Sequence, residues 1–343
     1  MRPDLFQSFI DAISTLTKSQ KQILDETLLQ TDLVSDTPKL GGEILSTGSS
    51  ISVEPLNLEQ QIEKQFAEHP SCPYCHNDGN IKRWGKRKGR QRYSCSGCNS
   101  TFSAFTKTPL SGLRHPEKWG SYLIGMPESQ TLRNAAKSCN IDLKTSFRWR
   151  HRFLEVIEND QADVLQGIVE LDETLLNESF KGQRAGLPRP ARKRGNDKNK
   201  ARKVPVLVAR DRDYHTVDGR LKDESADSLC FHLNGRIDIE ATVCADAHLA
   251  HEKLAETLGF EFKELVTSAG QHVKDGIYHI QHVNAYHSHL KRWIGGKFHG
   301  VATKYLTHYL GWKRKLAEKC ELTYSGLASQ ITSHWSHQPS TVT

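Results

Sequence analysis

In the first half of the chain, helical spacing of apolar residues occurs in two places. Over residues 1–30 apolar positions recur every three or four residues, and further along two short helices flank a turn at residues 140–142. The first helix has an apolar face formed by Leu132, Ala135 and Ala136, and the second has one formed by Phe147, Trp149 and Phe153. The basic residues of the second helix are Lys144, Arg148, Arg150 and Arg152. This pattern predicts a helix-turn-helix whose second helix enters a major groove; a plain αα-hairpin is the alternative.

After residue 160 the pattern becomes that of buried strands. Apolar, β-branched runs before Asp172, over residues 204–209 and before Asp246 predict three strands, and residues 260–266 predict a fourth. Helical patterns lie at residues 248–259 and again at 278–294. Strands that alternate with helices predict an α/β fold.

Composition narrows the class of protein. The chain has 343 residues, of which 36% are hydrophobic and 25% charged, and this is typical of a globular protein with two or three domains. Its longest apolar run, at residues 204–209, is far shorter than the ~20 residues of a membrane span. The N-terminus lacks the apolar segment of a signal peptide. We therefore expect a soluble cytoplasmic protein, without a membrane partner.

Four of the eight cysteines form two CxxC pairs, Cys72/Cys75 and Cys95/Cys98, with nineteen residues between the pairs. This spacing predicts a four-thiolate zinc site on two tight knuckles. The residues between the pairs are rich in cations and turn at Gly89, which predicts a hairpin and therefore a zinc ribbon. Disulfides are the alternative, but no secretory signal favours them.

The net charge of +7 is unevenly distributed. Residues 181–205 hold ten Lys/Arg against one acid, Asp197, which is a net +9 and leaves −2 for the rest of the chain. Such a tract is typical of contact with DNA phosphates, although a solvated loop that aids solubility is the alternative. The cations of this tract that we expect at DNA are Arg192, Lys193, Arg194, Lys200, Arg202 and Lys203.

The carboxylates of Asp172 and Asp246 follow two separate apolar strands. Adjacent strands that end this way can direct two carboxylates at one Mg²⁺ or Mn²⁺ ion, which prefers oxygen ligands. Divalent ions held so activate a nucleophile and stabilise a leaving oxygen in phosphoryl transfer. We therefore interpret Asp172 and Asp246 as catalytic metal ligands.

The third ligand is less evident, because residues 276–317 contain no Asp or Glu. In the helix predicted at 278–294, Asn284 and Lys291 are seven residues apart and share a face, with His287 between them. Mg²⁺ prefers oxygen to nitrogen, so we favour Asn284 over its rival His287. Lys291 is then expected to contact DNA phosphate. The alternative is a polar helix face without a metal role.

Taken with their order, these residues resemble the DDE-type insertion-sequence transposases. The similarity is to the group with an N-terminal zinc ribbon and an Asp–Asp–Asn signature followed by a lysine seven residues later, the insertion-sequence family numbered fifteen ninety-five. The matching residues are the four cysteines, Asp172, Asp246, Asn284 and Lys291, and the run at residues 298–312 also resembles the end of that group. The likeness covers about residues 60–316.

The resemblance implies an RNase H-like mixed-sheet catalytic core preceded by a small zinc ribbon and a helix-turn-helix. The expected domains are an N-terminal helical segment (1–30), a linker (31–65), the zinc ribbon (66–106), the helix-turn-helix DNA-binding domain (107–160), the catalytic domain (165–316) with its basic insert (181–205), and a C-terminal tail (317–343). It implies metal-dependent cleavage and strand transfer at the terminal inverted repeats of a mobile element. Partners would be double-stranded terminal and target DNA and further copies of the chain, in association with the nucleoid.

Two other functions fit parts of the sequence. A DNA-binding regulator, or an inactive or domesticated transposase, would use the ribbon, the helix-turn-helix and the basic tract without catalysis. A structure-specific nuclease on the same core would cut branched DNA without joining ends. A transposase needs Asp172 and Asp246 for catalysis, whereas a DNA-binding regulator does not. A transposase joins DNA ends, whereas a structure-specific nuclease only cuts.

Overall fold

The computed structural model describes residues 58–183, 185–187, 202–266 and 269–317. The N-terminal helical segment predicted at 1–30 lies outside these residues, as do most of the linker and of the basic insert and nearly all of the C-terminal tail. Within the described ranges, no helix combines the length and the apolar character that crossing a bilayer requires.

The N-terminal module joins a ribbon to a set of helices. In chain order its elements are α1 (Leu58–Glu68), β1 (Ile81–Arg87), β2 (Arg90–Cys95), β3 (Thr101–Phe102), α2 (Trp119–Ile124), α3 (Leu132–Ser138) and α4 (Leu143–Ile157), with a 3₁₀ turn at Pro116–Lys118 before α2. The three strands form an antiparallel sheet in the order β1–β2–β3. Helices α3 and α4 are the two helices that the sequence predicts.

The boundary predicted at residue 65 is wrong. Helix α1 begins at Leu58 and buries Leu58, Ile62 and Phe66, which recur at helical spacing on one face. Phe66 packs edge-on against Tyr93 of β2, with ring centroids 5.1 Å apart. The first turns of this helix therefore belong to the core of the ribbon and not to a linker.

Side-chain caps fix where α3 and α4 begin. The hydroxyl of Thr131 accepts a hydrogen bond from the N–H of Asn134, and the carboxylate of Asp142 accepts one from the N–H of Thr145. Such caps satisfy backbone donors that have no partner inside the helix. Asn140 takes a left-handed conformation between them (φ 47°), so the chain turns within a few residues.

The second module is a five-stranded mixed sheet with helices on both faces. Its elements are β4 (Ile168–Asn177), β5 (Lys203–Asp211), β6 (Thr216–Arg220), α5 (Ala226–Leu233), β7 (Thr242–Asp246), α6 (Leu249–Leu258), β8 (Glu261–Leu265), α7 (Gln281–Phe298), a 3₁₀ turn (Thr303–Tyr305) and α8 (Leu306–Ala317). The strand order is β6–β5–β4–β7–β8, in which β4 pairs antiparallel with β5 and parallel with β7. This order and these directions are those of an RNase H-like core and confirm the predicted α/β class.

The two modules share one hydrophobic core. Tyr309 and Trp312 of α8 are buried among the aromatic side chains of the ribbon and of α2–α4. Trp293 of α7 donates a hydrogen bond from Nε1 to the hydroxyl of Ser129, at 2.9 Å. Arg314 is fully buried, forms an ion pair with Asp218 and donates to the backbone of the segment that joins the modules. The helix-turn-helix is therefore packed against the end of the second module rather than connected to it by a free linker.

Candidate functional site

The four cysteines of the CxxC pairs converge, as their spacing predicts. Their Sγ atoms all lie within 4.8 Å of one another. The Sγ atoms of Cys72 and Cys98 are 3.6 Å apart, and so are those of Cys75 and Cys95. A disulfide would bring two sulfurs to about 2.0 Å, whereas four thiolates about 2.3 Å from one zinc ion are separated by about 3.8 Å. The arrangement therefore fits a tetrahedral metal site and excludes paired disulfides here.

Asp172 and Asp246 lie on neighbouring parallel strands. The register of β4 and β7 pairs Glu170 with Cys244, and each aspartate follows two residues later on its own strand. Residues two apart on a strand start from the same side of the sheet, so the two aspartates share the side that bears Glu170. One difference from the expectation is that Asp172 does not end its strand, because β4 continues to Asn177.

A buried histidine bridges this pair to a further carboxylate. His251 of α6 has Nδ1 2.9 Å from Asp246 Oδ1 and Nε2 3.1 Å from Glu173 Oε1. Burial alone would lower the pKa of His251, but hydrogen bonds to Asp246 and Glu173 outweigh it and raise that pKa to about 10. The hydrogen bond from His251 in turn lowers the pKa of Asp246. Asp246 is thus held ionised and oriented.

Helix α7 carries Asn284, His287 and Lys291, which were predicted to share one face and are called the stripe on α7. The structure distinguishes these three residues by burial. His287 is buried, its Nδ1 is 3.5 Å from Asp172 Oδ2, and its Nε2 has no hydrogen-bond partner among the described residues. Asn284 is exposed on the same helix, one turn earlier. Lys291 is exposed and borders a cavity of about 490 Å³ beside the end of β4. His287 is therefore the stripe residue that contacts an aspartate.

Glu170 fixes the N-terminus of α7 against the central strand. Its fully buried Oε2 accepts hydrogen bonds from the backbone N–H groups of His282 (2.8 Å) and Val283 (3.1 Å). Its Oε1 lies 2.7 Å from His282 Nδ1 and 2.6 Å from the Arg212 guanidinium. Glu170, His279 and His282 have donor atoms suited to a metal, but the Arg212 cation already neutralises the carboxylate. We read this cluster as the anchor of α7.

Sequence reasoning missed Glu170, Glu173 and His251. Two acids in an otherwise apolar, buried strand were a signal, because an unpaired carboxylate is costly to bury. His251 had no such signal, because its contact with Glu173 spans 78 positions of the sequence. The structure connects His251 to Asp246 and Glu173, and it connects Glu170 to the N-terminus of α7.

The predicted DNA-reading residues of α4 fall on different sides of that helix. Lys144, Arg148 and Arg152 are exposed. Arg150 is fully buried, donates to the backbone carbonyl of Gln130 at 2.8 Å and lies 4.5 Å from the ring centroid of Trp312. The expectation that Arg150 contacts DNA is wrong, because the packing of α8 against α4 encloses its guanidinium.

The basic insert connects β4 to β5. These strands pair antiparallel up to Asn177 and Lys203, so the insert extends from the end of a long hairpin. Arg202 and Lys203 are exposed at its base. The other cations expected at DNA, Arg192, Lys193, Arg194 and Lys200, lie outside the described residues.

A cleft of about 480 Å³ separates the helix-turn-helix from the end of α7. Leu143 and Phe147 of α4 line one wall, and Lys297 and Tyr305 line the other. Gly300 and Val301 border both this cleft and the cavity at Lys291. The two openings are therefore adjacent, and together they connect the exposed face of α4 to the stripe on α7.

Comparison with known proteins finds a transposase domain in the second module. Residues 164–312, which hold the whole five-stranded sheet, match the ISXO2-like transposase domain family. A protein in transposable element ISH50 of Halobacterium salinarum is 29% identical over 253 residues, which cover 70% of this chain and 82% of that protein.

Similarity to solved structures is distant. The intasome of simian T-cell lymphotropic virus in complex with PP2A regulatory subunit B56 gamma shows 10% identity over 56% of this chain and 66% of that chain, with a TM-score of 0.28. The pre-cleavage Mos1 transpososome shows 13% identity over 64% of this chain and 78% of that chain, with a TM-score of 0.21. Likeness at this level adds nothing to the fold assignment, which rests on the sheet order.

Proposed function

The chain belongs to the ISXO2-like transposases through residues 164–312, and from this premise we propose that it cuts and joins DNA at the ends of an insertion sequence. The observation that carries the proposal is the placement of Asp172 and Asp246 two residues beyond a paired position on adjacent parallel strands. The two aspartates lie on strands that His251 of α6 connects, and His287 of α7 lies 3.5 Å from Asp172.

The residues present fit a divalent cation. Asp172 and Asp246 keep 19% and 41% of their side-chain surface exposed, so each carboxylate is partly desolvated yet open to an incoming ion. Carboxylate oxygens are the preferred ligands of Mg²⁺ and Mn²⁺. We propose Asp172 and Asp246 as two ligands and Asn284 as the third, with His287 as its rival because its buried Nε2 has no partner among the described residues.

The chain's own residues orient the reaction. Bound divalent ions would supply an activated water or 3′-hydroxyl and stabilise the leaving oxygen of the phosphodiester. His251 holds Asp246 in its ionised form, and Glu170 anchors the N-terminus of α7, whose His287 contacts Asp172. Lys291, exposed beside a cavity of about 490 Å³, is placed to contact a DNA phosphate next to the cleaved bond.

DNA binding is assigned to both modules. The exposed cations of α4, namely Lys144, Arg148 and Arg152, are proposed to read terminal-repeat DNA. The cleft between α4 and the end of α7 connects that helix to the candidate active site. The basic insert is proposed to make sequence-independent phosphate contacts. Because a transposase must hold two element ends together, we propose a homo-oligomer on DNA, with zinc at the four cysteines.

The experiment is strand transfer of a labelled duplex that carries the inverted repeats flanking the gene, with Mg²⁺ or Mn²⁺. Wild-type protein is expected to nick the repeat and join its 3′ end to target DNA. Asp172→Asn and Asp246→Asn are expected to lose joining by at least about 1000-fold while binding the duplex normally. As a matched control, Asp238→Asn removes a carboxylate from a loop outside the site and should leave joining unchanged.

The outcomes separate the alternatives. Binding without any product from wild-type protein would point to a regulator or an inactive transposase. Cleavage of branched DNA without end joining would point to a structure-specific nuclease. Joining that survives Asp172→Asn would refute the proposed active site.

A further inference from the structure

A second strongly basic segment lies in the ribbon. Residues 79–116 contain nine Lys/Arg and no Asp or Glu. Their net charge of +9 equals that of the basic insert. The net charge of −2 outside the insert includes this segment, so acidic residues elsewhere in the chain offset its positive charge. Five of the nine cations lie consecutively or nearly so on β1 and its turn: Lys82, Arg83, Lys86, Arg87 and Lys88.

These cations lie on a hairpin that projects from the sheet. Every residue from Lys82 to Gly89 is exposed. β3 pairs with Tyr93 and Ser94 of β2, so the hairpin beyond those positions is a two-stranded ribbon that no other strand of the described residues joins. Lys88 and Gly89 both have positive φ (52° and 82°), as in the tight two-residue turn that suits twisted strands.

The hairpin also presents an aromatic side chain to solvent. Trp84 is 61% exposed, whereas Trp119, Trp149 and Trp312 are buried. It lies at an irregularity in the β1–β2 register between Arg83 and Lys86, where Gly85 has φ 71°. An irregularity of this kind bends a strand and redirects a side chain. Charges on an edge strand are explained by protection against aggregation, but that explanation does not account for an exposed tryptophan.

The cations of the hairpin are not committed to carboxylates. Among the described residues, no ion pair involves Lys82, Arg83, Lys86, Arg87 or Lys88. Beside the hairpin lies a cleft of about 830 Å³ whose rim includes Arg87, Arg92 and Arg114. Its acid, Glu59, is already paired with Arg90. The hairpin and the adjacent cleft therefore present positive charges that are unpaired within the described part of the chain and that a polyanion can bind.

We propose that the β1–β2 hairpin is a DNA-binding element of its own, which takes duplex DNA. A two-stranded ribbon fits the major groove, which is about 12 Å wide. Lys82, Arg83, Lys86 and Arg87 contact phosphates, and Trp84 supplies an apolar contact inside the groove. The inference deepens the proposed transposase function, because it gives the protein a second contact to element ends beside α4.

The test is the salt dependence of binding to a fluorescein-labelled random-sequence 30-base-pair duplex. The hairpin variant Lys86→Gln/Arg87→Gln is compared with the control Lys222→Gln/Lys253→Gln, which removes the same charge from exposed sites on the second module. The plot of log affinity against log salt is expected to lose about 1.8 of its slope in the hairpin variant and none in the control. Trp84→Ala is expected to weaken binding about tenfold without changing the slope.

Zinc content and melting temperature show that each variant is folded. An unchanged slope in a folded hairpin variant, or an equal loss in the control, would overturn the inference, as would wild-type affinity in Trp84→Ala. The proposed function fails separately: a protein with a hairpin-dependent slope that never joins DNA ends would refute the transposase activity and leave the hairpin interface standing.

Discussion

The imidazole of His251 lies 2.9 Å from the carboxylate of Asp246. The residues come from consecutive elements, β7 and α6, and the same imidazole reaches Glu173 on β4 at 3.1 Å. A single buried side chain thus joins the two strands that carry the candidate metal ligands. It orients one aspartate directly and fixes the strand of the other.

His251→Gln is expected to lower strand transfer about 10- to 100-fold, because partners that orient a metal ligand affect activity by this amount. The Mg²⁺ concentration for half-maximal activity should rise, while duplex affinity stays the same. The measurement is a Mg²⁺ titration of end joining, with His272→Gln, an exposed histidine outside the site, as the control. An unchanged half-saturation would show that Asp246 needs no such support.

The assignment of the third metal ligand to Asn284 or to His287 leads to opposite predictions for the alanine variants. If Asn284 is the third ligand, Asn284→Ala loses strand transfer by about 100-fold or more. Asn284→Asp, which adds a negative charge at the site, should bind Mn²⁺ more tightly in the absence of DNA. The measurement is Mn²⁺ titration by electron paramagnetic resonance. Wild-type strand transfer by Asn284→Ala, together with none by His287→Ala, would assign the role to His287.

Arg148 and Arg150 are two residues apart on α4 but have different surroundings. Arg148→Gln is expected to weaken discrimination among terminal-repeat sequences and to leave the melting temperature unchanged, because its side chain is exposed. Arg150→Gln removes the contact with Trp312 and the bond to Gln130, and should destabilise the fold by about 1–3 kcal/mol. Thermal melting and competition binding distinguish them. Equal stability of the two variants would contradict the buried position of Arg150.

Removal of zinc is expected to affect more than the ribbon. Cys72 and Cys95 are fully buried in the same core as Trp119 and Trp149, and structural zinc supplies folding free energy. A chelator, or Cys75→Ser, should therefore lower the melting temperature and abolish duplex binding. Cys230→Ser serves as the control, since Cys230 lies in the second module. Retention of duplex binding by zinc-free protein would show that the helix-turn-helix folds and binds DNA without an intact ribbon.

His151 gives the N-terminal module a sensitivity to acid. Its ring stacks on Tyr305 with centroids 3.8 Å apart, and burial lowers its pKa to about 3, with His308 and nearby cations adding to the effect. Because the folded pKa lies below the unfolded one, near 6.5, the neutral ring stabilises the fold above pH 6.5. That stability is lost as pH falls from 6.5 toward 3, by up to about 1.4 kcal/mol per pH unit.

His151→Gln should reduce this dependence, so its melting temperature falls less than that of wild type between pH 7 and 5. The control is His289→Gln, at an exposed position on α7. A melting temperature with the same pH dependence in all three proteins would show that folding does not lower the pKa of His151.

Local patterns were sufficient for the cysteine cluster, for strands β4, β5, β7 and β8, and for helices α3, α4, α6 and α7, whereas α1, α2, α5, α8 and β6 were not predicted. The spacing of cysteines predicted the metal cluster, because two CxxC knuckles need only a turn between them. Apolar runs ended by Asp172 and Asp246 predicted two strands, since alternation and β-branching act over a few residues. The helix of Asn284 and Lys291 followed from a period of 3.6 residues in the same way.

Tertiary structure alone decided which faces of those elements are covered. Trp312 lies 162 positions after Arg150 in the sequence, and only its packing makes that arginine a core residue. His251 meets Glu173 across 78 positions, and α1 joins the ribbon core through Tyr93. A periodic pattern shows that a helix has an apolar side, but the partner on that side is chosen by contacts between residues far apart in the chain. Local patterns therefore determined many of the elements, whereas the packing of the two modules and the contact that orients Asp246 depend on residues far apart in the chain and were decided by folding.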